Sequence, residues 1–164
     1  LEQRKQEGLP VPLPAVNMII EACAVLGDLD RAFATWAEIE QLGLKPDTGT
    51  FNALLHTCIR TRELASGRRL LSRMTADGLK ADATTYTHQV SLHLMSRESE
   101  QAGKLLQKAK DEGVKPSAKM YAHLIIDAVR GRKGERAQML LKQMEEDGHK
   151  PGNGLRGRVA QAGK

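Results

Sequence analysis

The string "GLKPD" at 43–47 returns as "GLKAD" at 78–82, "GVKPS" at 113–117 and "GHKPG" at 148–152, always 35 residues further on. A spacing held three times without insertion or deletion means one structural element copied along the chain. With each copy ending at this string, the repeats are 13–47, 48–82, 83–117 and 118–152. Residues 1–12 read as the end of a preceding repeat, because "EGLPVP" at 7–12 stands in register with "LGLKPD" at 42–47, and the chain reads as a window of a longer protein. Residues 153–164 read either as the start of a further repeat or as a basic extension.

Each repeat carries two helical patterns. Phe51, Leu54, Leu55, Cys58 and Ile59 recur at i, i+3, i+4, i+7 and i+8, one face of an α-helix. Val16, Ile19, Ile20, Cys23 and Ala24 repeat that face in the first copy, and Tyr121, Leu124, Ile125, Ala128 and Val129 in the fourth. The third copy is weaker, with Gln89 and His93 on the face. A short break follows ("LGD" at 26–28, "GRKG" at 131–134), then a second helix. Ala32, Gly67, Ala102 and Ala137 share one repeat position, where small side chains let two helices approach. Gly43, Gly78, Gly113 and Gly148 are placed to adopt a left-handed conformation past the second helix, and Pro46, Pro116 and Pro151 stop its continuation. Ala81 lacks that stop. One hairpin cannot bury its own apolar face but a stack can, which predicts an all-α fold, a right-handed α-solenoid of helix–turn–helix repeats.

Aromatic residues make up only 3% of the chain, so the core must come from aliphatic side chains, and Trp36, aligned with Leu71, Leu106 and Leu141, belongs to it. Cys23 and Cys58 occupy one position of successive repeats, too far apart for an easy disulfide, and read as buried apolar residues. Paired CxxC motifs are missing and the histidines show no ligand spacing, so no metal site is expected; His88 and His123, one repeat apart, are expected to share a surface role. No run of 18 apolar residues exists to span a membrane. The net charge of +5 suits an acidic partner such as nucleic acid, or simply a solvated basic surface.

"TFNALLHTCIRTRELASGRRLLSRMTADGLKAD" (50–82) and "MYAHLIIDAVRGRKGERAQMLLKQMEEDGHKPG" (120–152) resemble the pentatricopeptide repeat in period and motif together, over about 140 of the 164 residues. The resemblance implies single-stranded RNA binding, one base per repeat, read by the fifth and last residues of each repeat. Those pairs are Asn17 with Asp47 and Asn52 with Asp82, a combination that favours pyrimidines in the family, and Thr87 with Ser117, where the threonine leans toward purines and the serine leaves the base unsettled. Ala122 with Gly152 offers no directional hydrogen bond. The second residue, usually an aliphatic wedge between bases, is Pro14, Gly49, Thr84 or Lys119 here. Arg60 and Arg130 match a commonly basic position near the phosphates, and Arg62, Arg97 and Arg132 extend it. Two base-reading repeats would supply roughly 2–6 kcal/mol beyond the phosphate contacts, a weak grip for this segment alone.

The resemblance also implies work in mitochondria or chloroplasts, in RNA stability, processing or translation. An alternative follows from the silent fourth repeat and the missing wedges: a non-catalytic scaffold subunit of an organellar ribonucleoprotein, such as a ribosome, contacting rRNA or protein by shape and charge. Some relatives carry a deaminase with H-x-E and C-x-x-C strings or a nuclease domain; neither string nor an acidic metal cluster outside the repeats is present, so no enzyme activity and no cofactor are expected of this segment.

Overall fold

The computed structural model describes residues 11–162. Most of the repeat tail read at 1–12 lies outside the described residues. Among the described residues there are nine helices and no strand: α1 (Leu13–Leu26), α2 (Leu29–Gln41), α3 (Thr48–Thr61), α4 (Leu64–Ala76), α5 (Ala83–Met95), α6 (Ser99–Asp111), α7 (Ala118–Arg130), α8 (Gly134–Glu146) and α9 (Asn153–Ala162). The chain divides into two compact bodies, one through Lys80 and one from Ala81. In the first body α1 packs on α2 and α3, and α3 on α4. In the second α5 packs on α6 and α7, α7 on α8, and α9 on both α7 and α8. Residues 153–164, with two readings from the sequence, are mostly the ten-residue helix α9, docked through buried Val159.

Both apolar faces read from the sequence are inside. Val16, Ile20, Phe51, Leu54, Leu55 and Ile125 are fully buried. In the second body Tyr86, Val90, Leu105, Tyr121, Leu124, Leu140 and Met144 form one cluster with α9's Val159. Burying each such side chain is worth about 1.5–3 kcal/mol, which no isolated hairpin of this length could collect. Ala32, Ala102 and Ala137 have no exposed surface and Gly67 is buried, as expected where second helices press close. α5 forms despite its weak pattern, because Tyr86, Val90 and Leu92 bury while His93 turns to accept or donate at Glu98, 2.6 Å away.

Both helices of each of the four repeats end with the same device. After each second helix, Gly43, Gly78, Gly113 and Gly148 take φ of +67° to +83°. The next amide donates back five residues: Leu44 to the Ile39 carbonyl, Leu79 to Met74, Val114 to Ala109 and His149 to Met144. This closes the orphan carbonyls of the last turn. The first helices end in the same bond, from Asp28 to Cys23, Glu63 to Cys58, Glu98 to His93 and Lys133 to Ala128. There the left-handed residue is Gly27 only once; in the other three repeats it is Arg62, Arg97 and Arg132, at φ +63°, +62° and +54°. An L-residue in that conformation costs roughly 1–2 kcal/mol, so these three positions are strained where glycine would not be.

Candidate nucleic-acid interface

Helix N-termini place the last residue of one repeat beside the fifth residue of the same repeat. Asp47 is the N-cap of α3: its Oδ1 accepts the Thr50 backbone N–H at 2.8 Å, and its own N–H donates to Thr50 Oγ1 at 3.2 Å. α1 packs on α3, which brings Asn17 up to this cap. Asn17 Nδ2 donates to Asp47 Oδ1 at 3.1 Å. The single Thr50 hydroxyl proton faces Asn17 Oδ1 at 2.7 Å and Asp47 Oδ1 at 2.9 Å, serving one at a time. The amide is therefore locked in one orientation, with its carbonyl toward Thr50 and its nitrogen toward Asp47. Asp47 Oδ2, the second Nδ2 hydrogen and a lone pair on Oδ1 remain for an outside partner. Partial burial pushes the Asp47 pKa up, but the bonds from the Thr50 amide, the Thr50 hydroxyl and Asn17 outweigh it and hold the carboxyl below its ordinary value, so it is charged at neutral pH.

The pair is open to solvent: Asn17 is half-buried and Asp47 exposed. Gly49 helps keep it so. A Cβ there would stand 3.2 Å from Asp47 Oδ1 and 3.3 Å from Asn17 Nδ2. Gly49 stands where the family usually has a wedge, and in the fold its lack of a side chain leaves space around the polar pair.

The other positions differ. Asp82 is the N-cap of α5, with Thr85 completing the same reciprocal capping box. Asn52 belongs to the first body and is buried, 8% exposed, so its environment is unlike that of Asn17. Thr87 is buried as well, at 4%. Its hydroxyl donates to the Ala83 carbonyl at 2.7 Å, so at the 2.8 Å contact with Ser117 Oγ it must accept. Ser117 in turn accepts the Met120 N–H at 3.0 Å. Both hydroxyl protons are spent inside the protein, and this pair can offer a base nothing but weakly exposed lone pairs. Ala122 and Gly152 add no polar side chain.

Below the first pair, the same faces of α1 and α3 carry His56 Nδ1 against Glu21 Oε1 at 2.6 Å. In the second body Ser91 Oγ meets His123 Nδ1 at 2.9 Å. Burial, and then the Lys119 charge, lower the His123 pKa, so this ring is neutral at pH 7. The shared surface role expected for His88 and His123 does not hold: His88 is buried at 8% while His123 is half-exposed. Their first helices stand in different packing surroundings, which a common repeat position does not reveal.

Arg60, Arg62, Arg97, Arg130 and Arg132 are all exposed, at or just before the turn between the two helices of their hairpins. Trp36 packs its ring against Phe33 and Phe51, at 5.9 Å and 6.0 Å between centroids, with the Arg73 guanidinium over it. It is a packing residue, as expected. Cys23 and Cys58 are free thiols and buried. Sequence reasoning missed one polar network. The buried Tyr121 hydroxyl donates to Asp147, which also takes Lys110 Nζ at 2.9 Å. Tyr86 makes the equivalent bond to Glu112. The signal was present as tyrosine and an acid 26 residues apart in two successive repeats. Among the described residues no group of three or more His, Cys, Asp or Glu could hold a metal ion, and no helix is long and apolar enough to cross a membrane.

Residues 3–152 match the family described as the pentacotripeptide-repeat region of PRORP. The chain belongs to this pentatricopeptide-repeat family. Among solved structures, it resembles the PPR domain of Arabidopsis thaliana protein-only RNase P 1 in complex with tRNA, at 18% identity and TM-score 0.76, covering 91% of this chain and 79% of that one. It resembles PPR10 in complex with an 18-nt psaJ RNA element at 21% identity and TM-score 0.79, covering 98% of this chain but 24% of PPR10. Against a structure of the pentatricopeptide repeat protein PPR10 from maize the identity is 26% and the TM-score 0.70, over 96% of this chain and 24% of that one. The chain thus spans most of an isolated PPR domain and about a quarter of PPR10. No curated protein sequence matches it. The all-α repeat fold is the one these structures share.

Proposed function

We propose that this chain is a non-catalytic RNA-binding segment that holds single-stranded RNA and reads a pyrimidine, uracil by preference, at the Asn17–Asp47 pair. The observation that carries the reading is the geometry of that pair. A charged N-cap carboxylate fixes the amide at 3.1 Å, while a donor, an acceptor and a carboxylate oxygen stay available at the surface. A splayed base presents donors and acceptors on its Watson–Crick edge that such an oriented amide can match. Two RNA complexes among the similar structures agree with this reading, since PPR10 is solved with psaJ RNA and the protein-only RNase P 1 domain with tRNA. One open pair contributes about 1–3 kcal/mol, so phosphate contacts or neighbouring segments must supply the rest of a useful affinity. The setting we infer is an organelle, in RNA stability, processing or translation, with any catalysis residing outside these residues.

The experiment is a titration of the chain with U-rich and A-rich oligomers of equal length. Tighter binding to the U-rich strand, with the difference abolished by Asn17→Ala, supports the proposal. Equal affinities, untouched by that substitution, reject it. A second reading, contact with a folded RNA by shape and charge, is favoured by one observation: Thr87 and Ser117 spend their donors on the protein, and Ala122 has none. If that reading is right, unlabelled tRNA or rRNA fragments outcompete either single strand.

A further inference from the structure

We propose that the cleft between α2 and α4, walled by Phe33, Trp36 and Leu70 and rimmed by Arg69 and Arg73, is a docking site for an acidic segment of a partner protein, with one bulky aliphatic side chain inside and a flanking carboxylate at the rim. This goes beyond the RNA-binding reading and does not depend on it. Every residue it uses belongs to the first body.

The cleft follows from how the repeats are built. Among the described residues α2 and α4 do not pack on each other; both pack on α3, which leaves a furrow between them. The second body has the same arrangement, with α6 and α8 each packed on α7. There the furrow is filled from within. A Cβ on Gly103 would collide with the Arg136 guanidinium, so the half-buried Arg136 side chain lies over the glycine. Two repeats earlier the same two positions are Phe33 and Ser66. Ser66 is too short to cross the furrow. A cavity of about 260 Å³ remains, lined by Phe33, Trp36, Ser66, Arg69, Leu70 and Arg73.

The chemistry of the lining selects the occupant. The volume is below the roughly 300 Å³ at which small-molecule sites begin, so it fits a single side chain rather than a cofactor or a nucleotide. Trp36 is enclosed by Phe33 and Phe51, with ring centroids 5.9 Å and 6.0 Å away, and by the Arg73 guanidinium. It gives an aliphatic side chain a wall rather than giving a base a bare ring to stack on. Around it α4 has three exposed arginines, Arg68, Arg69 and Arg73, and no acid. Arg73 is bridged to Asp77. Arg69 donates to the Ser66 hydroxyl at 3.0 Å and has no carboxylate partner among the described residues. A planar guanidinium with spare N–H groups beside an apolar cavity matches a carboxylate next to a bulky aliphatic residue. Trp36 Nε1, buried and without a hydrogen-bond partner, adds an unmet donor on the ring that walls the cleft.

Trp36 is the single tryptophan of the chain, so its emission reports on the cleft without a label. The whole chain is titrated with the acetylated, amidated peptide Glu-Glu-Leu-Leu-Glu-Glu, and with versions that carry glutamine for glutamate or alanine for leucine. The first should give a saturable change in Trp36 emission, and the other two should bind about tenfold more weakly or worse. Ser66→Arg supplies the side chain that fills the furrow in the second body. Arg69→Gln removes the unpaired charge at an exposed position. Each should weaken binding of the first peptide about tenfold, with the thermal midpoint unchanged. A U-rich oligomer should neither displace that peptide nor alter the Trp36 emission. A flat titration, equal affinity for the glutamate and glutamine peptides, or parent affinity in both variants overturns the proposal. Displacement of the peptide by the oligomer also overturns it, since the cleft would then belong to RNA. Peptide binding by a chain that binds no RNA rejects the base-reading proposal and upholds this one.

Discussion

Asp47 and Asn17 touch each other but stand in different relations to the fold, and separating them is the sharpest check on the interface. Asp47→Ala removes the N-cap of α3 and the acceptor for the Thr50 amide at 2.8 Å. Loss of such a cap costs about 0.5–2 kcal/mol. In a chain of this size that lowers Tm by about 1–8 °C. Asn17→Ala removes an exposed hydrogen bond to Asp47 and a part-buried one from Thr50, whose hydroxyl keeps Asp47 Oδ1 as its acceptor, and alanine is the better helix former. Its stability should stay within about 0.5 kcal/mol of the parent. Affinity should fall in both variants. Asn17→Ala should lose about 5- to 150-fold for a U-rich strand, the equivalent of one engaged base. Asp47→Ala should lose that and stability together. Asp47→Asn keeps a competent cap but removes the charge. Because hydrogen bonds depress the Asp47 pKa, its charged form stabilises the fold above the ordinary carboxylate pKa of 3.8 and loses that effect as pH falls through the lower folded value; Asp47→Asn should flatten this part of the acid profile. Urea melts with fluorescence-anisotropy titrations on the same samples measure both quantities. If Asn17→Ala destabilises as much as Asp47→Ala and leaves RNA affinity intact, the pair is a structural clasp and the reasoning fails.

Two further outcomes follow from the second body and the core. Tyr121→Phe removes the hydroxyl bond to Asp147 and should cost about 1.5–3 kcal/mol at neutral pH. Hydrogen bonds from Tyr121 and Lys110 hold the Asp147 pKa below 3.8, so the parent loses this stabilisation as pH drops below about 4, and the gap between parent and variant should narrow there in acid-series urea melts. Burial pushes the Cys58 thiol up to about 11 and also raises Cys23. Neither thiol should react with a thiol-specific reagent at pH 7.5 in the folded chain, and both should react fully in denaturant, read as released chromophore.

The helices, their ends and their apolar faces were legible because period and burial impose the same residue type at the same place four times over. Gly43, Gly78, Gly113 and Gly148 announced a left-handed turn since glycine is the residue that turn prefers. Arg62, Arg97 and Arg132 did not, because nothing about arginine suggests positive φ. Their alignment with Gly27 at 35-residue steps was the available clue. The candidate site was legible by position but not by state. Periodicity makes Asn17 and Asn52 equivalent, yet Asn52 is buried and Asn17 is not, since exposure depends on which neighbours pack around each copy. Likewise Thr87 and Ser117 were expected at one place and are there, 2.8 Å apart, but only coordinates reveal that their protons are already committed. Gly49 read as a deficiency until the Asn17–Asp47 pair beside it showed what its missing side chain leaves open.

The account turns on one amide. Nuclear magnetic resonance can follow the Asn17 side-chain NH₂ directly while a short U-rich or A-rich RNA is titrated in. The account predicts a saturable shift of the Asn17 signals with the U-rich strand, a smaller one with the A-rich strand, and quiet second-helix resonances in α2 and α4. Asn17 signals that do not move while the RNA binds elsewhere would contradict it.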